Sequence, residues 1–119
     1  PTGSDTAPGT DRVLTFSGRT AIVIPPGAPV LSDPVELNVP ALGDLAVSLY
    51  LPGTVEATTI HNTGLQTNYV SLPGDFTAAA TLPVQRTITA WPFLTEVDVD
   101  SAGPAIVTLG DSITDGTRM

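Results

Sequence analysis

The chain has 119 residues, no cysteine, and 12 acidic side chains against four arginines, a formal net charge of −8. That charge repels phosphate backbones and anionic lipid alike, so neither nucleic acid nor a membrane surface is expected as a partner. The length fits one domain with a core of its own, the missing cysteines remove disulfide and thiolate chemistry, and no apolar run approaches the roughly 20 residues of a membrane-spanning helix.

With 41% hydrophobic and only 13% charged residues, much of the surface falls to Thr, Ser, Asn and Gly, a composition that suits a soluble, secreted or periplasmic β-protein. Residues 1–11, PTGSDTAPGTD, are small, polar and broken by Pro and Gly. They read as a flexible leader, and they lack the basic and apolar regions of a signal peptide.

From Arg12 short β-branched runs alternate with turn residues: RVLTFSG, TAIVIPPGAPV, VELNVP, DLAVSLYLPG, EATTIHN, QTNYVSLPGD and RTITAWPFLTEVDVDS. Turn signals at roughly 8–12 residue spacing predict an antiparallel sandwich. In Leu45 to Leu51 a period of two puts Leu45, Val47, Leu49 and Leu51 on one face, which predicts a half-buried strand with Val47 and Leu49 in the core. Val97 and Val99 alternate with Glu96, Asp98 and Asp100 in the same way. No helical periodicity precedes residue 110, and 12 prolines disfavour helix interiors. Residues 12–101 are therefore expected to be a mainly β domain, an antiparallel β-sandwich of jelly-roll type.

The texture changes again at SAGP, which marks a boundary near Ala102 to Pro104. AIVTL, residues 105–109, has little polar alternation, as in a parallel strand buried on both faces. It runs into Gly110-Asp111-Ser112. A serine at the carboxyl end of such a strand, just before a helix N-terminus, has its hydroxyl lifted out of the sheet. Backbone N–H groups and the helix dipole there favour an oxyanion beside it. The turn is not the Gly-x-Ser-x-Gly elbow, because position 114 is Thr. A plain helix N-cap is the other role such a serine can fill.

VTLGDSITDG resembles the first conserved block of the GDSL, or SGNH, hydrolases. The upstream stretches RVLTFSGRTAIVIPPGAPVLSDPV, LAVSLYLPG and LQTNYVSLPGDFT are similar to the β-rich region that precedes the hydrolase domain in secreted bacterial members. The resemblance implies that residues 102–119 begin an α/β hydrolase domain. It implies further that Ser112 is the catalytic nucleophile and lends its N–H to the oxyanion hole, with Gly110 and Asp111 as supporting residues of the turn. The implied activity is hydrolysis of an acyl ester, on a small alcohol or an acylated carbohydrate, through an acyl-enzyme and without cofactor or metal. The family's oxyanion Gly and Asn and its Asp-x-x-His come from later blocks. These would have to be supplied by a further polypeptide carrying the rest of the hydrolase domain, and a serine hydroxyl without a base is a poor nucleophile.

Three other features compete for function. His61, the single histidine, ends a predicted strand and is expected to be a hydrogen-bonded turn or cleft-rim residue rather than the base. DVDSAG, Asp98 to Gly103, imitates the start of a calcium loop, but Ala102 and Leu109 stand where its fifth and twelfth ligands belong. Trp91 and Phe93 with Tyr50 or Tyr69 are candidates for a sugar-stacking platform, against the ordinary role of strand aromatics in cores. They keep open a second functional class, a noncatalytic β-sandwich module that binds carbohydrate or protein.

Overall fold

In a computed structural model of the chain, residues 3–104 and 106–110 are described. They are mainly β in character, with no helix, and form two small antiparallel sheets. Strand β1 is Ile60–His61, β2 is Asn68–Ser71, β3 is Val84–Ile88 and β4 is Trp91–Pro92. β1 pairs with β4, and β2 pairs with β3.

The two pairs are nested, so that the chain from Ile60 to Pro92 runs out and back once. Ile60 faces Pro92 and His61 faces Trp91, whereas further along Asn68 faces Ile88 and Tyr69 faces Thr87. Between the pairs, residues 62–67 on the outgoing side face only residues 89–90 on the return. The surplus chain must loop out. The Gly64 N–H donates to the Thr89 carbonyl at 2.8 Å, and Asn68 Nδ2 donates to the Ala90 carbonyl at 3.0 Å, which folds that loop back over β4.

A second irregularity lies within the β2–β3 pair. Val70 faces Arg86 but Ser71 faces Val84, so Gln85 has no partner across the ladder. It is the extra residue of a β-bulge, the device that bends a strand and re-aims a side chain. At the connected end Asp5 bridges Thr81, and the Thr6 N–H donates to the Ala80 carbonyl at 2.9 Å. The segment read from sequence as a leader is tied there to the β2–β3 connection.

Earlier in the chain a tight turn stands out. Phe16 and Arg19 exchange backbone hydrogen bonds of 2.8 and 3.2 Å around Ser17 and Gly18, whose φ angles are 52° and 77°. Two positive φ values in a two-residue loop make a type I′ turn, the form whose twist matches antiparallel strands. Its exposed N–H groups are taken by one carboxylate: Ser17 N–H reaches Asp33 Oδ1 at 3.0 Å and Gly18 N–H reaches Oδ2 at 2.8 Å. The Thr15 hydroxyl donates to Oδ2 at 2.6 Å. These donors, the Thr15 hydroxyl foremost, hold the Asp33 carboxyl below its ordinary value of 3.8.

The strand expected over 45–51 is not part of any ladder, and neither is that over 96–100. Nor do Val47 and Leu49 form a core: Val47 is half-buried, Leu49 is 55% exposed, and no described residue is buried. Proline explains part of this. Pro25, Pro26, Pro29, Pro34, Pro40 and Pro52, half of the 12 in the chain, interrupt the stretch around it, and each lacks the N–H a ladder needs. The rest is a matter of layers, because alternation says which side chains share a face and not what covers it.

The chain exposes 10232 Å², against roughly 6,100 Å² for a compact monomer of its mass. Its radius of gyration is 15.5 Å, against about 13.5 Å for a compact domain of this length. Half-buried positions gather in residues 4–6, along β2, in parts of 76–83 and over residues 91–94. Much apolar side chain therefore faces outward, Val23 at 90% and Leu31 at 72% among it.

Candidate functional site

Of the nucleophile turn, Gly110 is described and exposed, while Asp111 and Ser112 lie outside the described residues. The strand leading to it was expected to be buried on both faces. Instead Ile106, Val107 and Leu109 are 93%, 90% and 100% exposed, because neither small sheet takes this segment as a neighbour.

Two clefts are present where the ribbon is irregular. The first, about 450 Å³, is lined by Tyr50, Leu51, Gly53, Thr54, Ser71, Pro73, Gly74 and Gln85. It sits at the bulge, so the residue without a ladder partner is one of its walls. The Ser71 hydroxyl is engaged with the Leu72 carbonyl at 2.8 Å. Among the described residues the Gln85 amide and Thr54 hydroxyl make no hydrogen bond.

The second cleft, about 460 Å³, is lined by Thr59, Ile60, His61, Trp91, Leu94 and Thr95. β1 and β4 set it: the cross-strand pair His61 and Trp91 stand edge to face, ring centroids 6.3 Å apart at 80°. The looped-out Gly64 lies against one edge of the Trp91 indole. A Cβ on Gly64 would lie 2.7 Å from Trp91 Cδ1 and 2.8 Å from Nε1, so only glycine lets the loop come this near the indole. Phe93, with φ of 65°, donates its N–H to the Thr59 carbonyl at 3.0 Å and fixes the far end of the pair. Neither cleft has an ionised carboxylate or arginine in its wall.

The structure therefore divides the aromatic group read from the sequence. Trp91 joins His61, Tyr50 belongs to the other cleft, and Tyr69 is half-buried with Gly3 against its hydroxyl. Asp98 and Asp100 lie exposed, and among the described residues no group of three or more His, Asp or Glu is placed to hold a metal ion. No described helix is long and apolar enough to cross a membrane. Gln85 and Gly64 were not foreseen, since a bulge and a looped-out insertion depend on register, which a single strand's pattern does not carry. Compared with family models, with curated proteins and with solved structures, the chain finds no match.

Proposed function

We propose that residues 102–119 open the catalytic domain of an SGNH-type serine ester hydrolase and that residues 12–101 are its β-rich N-terminal region, of jelly-roll sandwich type once its outer faces are covered. The observation that carries this reading is the block VTLGDSITDG with its apolar approach, AIVTL. The outward-facing Ile106, Val107 and Leu109 support it, since three such side chains directly before a Gly-Asp-Ser turn suit a strand made to enter a sheet. The Asp, the His and the remaining oxyanion donors are not among these 119 residues and belong to further polypeptide, continuous with this one or separate.

In the proposed reaction Ser112 Oγ attacks the ester carbonyl while a base takes its proton. The C–O bond to the alcohol then breaks, the alcohol leaves with that proton, and an acyl-serine remains. Water then adds to the acyl-serine as the same base takes its proton, the Ser–acyl bond breaks with that proton returned to Ser112 Oγ, and the carboxylic acid departs. The Ser112 N–H contributes to the hole that holds the oxyanion. A secreted or periplasmic location accords with the neutral, Thr- and Ser-rich surface.

The test is covalent labelling with a serine-reactive fluorophosphonate in an assembly that contains the whole hydrolase domain. Label on Ser112, lost in Ser112→Ala and retained in His61→Ala, is the expected result. Label on another residue, or an ester turnover that survives Ser112→Ala, refutes the assignment.

A further inference from the structure

We propose that the cleft between β1 and β4 is a binding site for a neutral carbohydrate, with the Trp91 indole as the platform on which a sugar ring stacks. This inference does not depend on the Ser112 chemistry.

Three observations converge on it. The indole is held from two sides, by Gly64 against its Cδ1–Nε1 edge and by the His61 ring set at 80° to it. An aromatic surface held in this way loses little rotamer freedom when a ligand arrives, and this favours binding. The walls are also chemically mixed in the sense a sugar requires. Ile60 and Leu94 extend the apolar surface, while Thr59 and Thr95 place hydroxyls at its margin that make no hydrogen bond among the described residues. A pyranose has the complementary make-up, C–H groups on a ring face and hydroxyls around its equator, so it covers the indole and trades hydrogen bonds at the rim.

Charge decides the ligand class. No carboxylate or arginine lines the cleft, and the chain carries a formal net charge of −8. No lysine or arginine there offers a permanent counter-ion to a sulfated, phosphorylated or uronic sugar, and the long-range field opposes its approach. A cleft of about 460 Å³ falls within the roughly 300–1,000 Å³ of small-ligand sites. Its open form suits a polymer chain passing across better than a small molecule enclosed.

Trp91 is the only tryptophan, so the emission of the unmodified 119-residue chain reports on this site alone. Cellohexaose, xylohexaose and mannohexaose are titrated in turn, with oligogalacturonate as the anionic counterpart. At least one neutral hexaose is expected to give a saturable blue shift, and oligogalacturonate none. By calorimetry, Trp91→Ala should weaken that binding at least tenfold, Trp91→Phe less, and Thr95→Val severalfold. The exposed Thr95 variant keeps the test valid should Trp91→Ala fail to fold. An emission unmoved by all three neutral sugars, a stronger response to oligogalacturonate, or variants that bind like the parent would each overturn the proposal. All can be measured with Ser112→Ala, which separates this result from the esterase reading.

Discussion

Gly64→Ala tests the link between the mismatched loop and the clamped indole. The new methyl would lie 2.7 Å from Trp91 Cδ1, 2.8 Å from Nε1 and 3.1 Å from the Thr89 carbonyl oxygen, where carbon contacts normally settle at about 3.5–4.0 Å. The gap to be opened is therefore close to 1 Å, and one of the obstacles is the backbone that holds Gly64 itself. Overpacking of this kind costs about 1–3 kcal/mol. Against it stands the reduced freedom of the unfolded chain, a gain of about 0.4–1 kcal/mol from Gly→Ala where alanine's backbone is allowed. It is allowed here, since Gly64 lies outside the left-handed region. The steric effect wins, and a net loss of about 1–2 kcal/mol lowers the melting midpoint by roughly 4–8 °C at about 4 °C per kcal/mol. Thermal melts followed by tryptophan emission measure both halves of the argument, because the displaced indole should also emit further to the red. Gly103→Ala is the control: its methyl would meet only Ser101 Oγ at 3.3 Å, and no loss is expected. A Gly64→Ala chain that keeps the parent midpoint within about 1 °C, comparable to a neutral surface change, and keeps the parent emission, would refute the clamp.

The Asp33-capped turn should be pH-sensitive: its carboxyl is depressed below 3.8, so its stabilisation is complete above that value and is lost as pH falls through the lower folded value. Protection of the Ser17 and Gly18 amides relative to their intrinsic exchange rates should fall over that acid range in the parent, and should be lower throughout the range above it in Asp33→Ala. Leu42→Gly should stabilise the Pro40–Gly43 turn, where Leu42 has φ of 59° and is fully exposed. Relief of about 1–2 kcal/mol of left-handed strain outweighs a glycine cost of about 0.5–1 kcal/mol, which a rise in the melting midpoint would register. Ile106→Asp with Val107→Asp should leave the melt of this chain unchanged, since both side chains are at least 90% exposed. On the proposed reading the same pair abolishes ester hydrolysis in the full assembly, where burying each would otherwise contribute about 1.5–3 kcal/mol.

How far the sequence was readable depends on what each feature needs. β1, β2 and β4 fall within EATTIHN, QTNYVSLPGD and RTITAWPFLTEVDVDS, and β3 overlaps the last of these but starts two residues before it, at Val84; β-branched and aromatic residues between turn signals mark extended chain locally. Pairing is not local. That His61 meets Trp91 follows from four more residues on the outgoing side than on the return between the two pairs, and Gln85 is left over because the return strand carries one extra residue opposite Val70 and Ser71; both counts are visible only once register is known. Burial is less local still. The alternation in 45–51 makes one side of that segment apolar, but Leu45, Leu49 and Leu51 end 44%, 55% and 43% exposed because no second layer among the described residues lies over them. The same reasoning joins them to Val23, Val107 and Leu109. A chain so poor in charge, with its apolar side chains turned outward over an area well above that of a compact monomer, has its unmet demand in packing. On the proposed reading the hydrolase domain opened by residues 102–119 would cover these faces, whereas the Trp91 cleft is set within the ribbon by the β1–β4 pairing and one glycine.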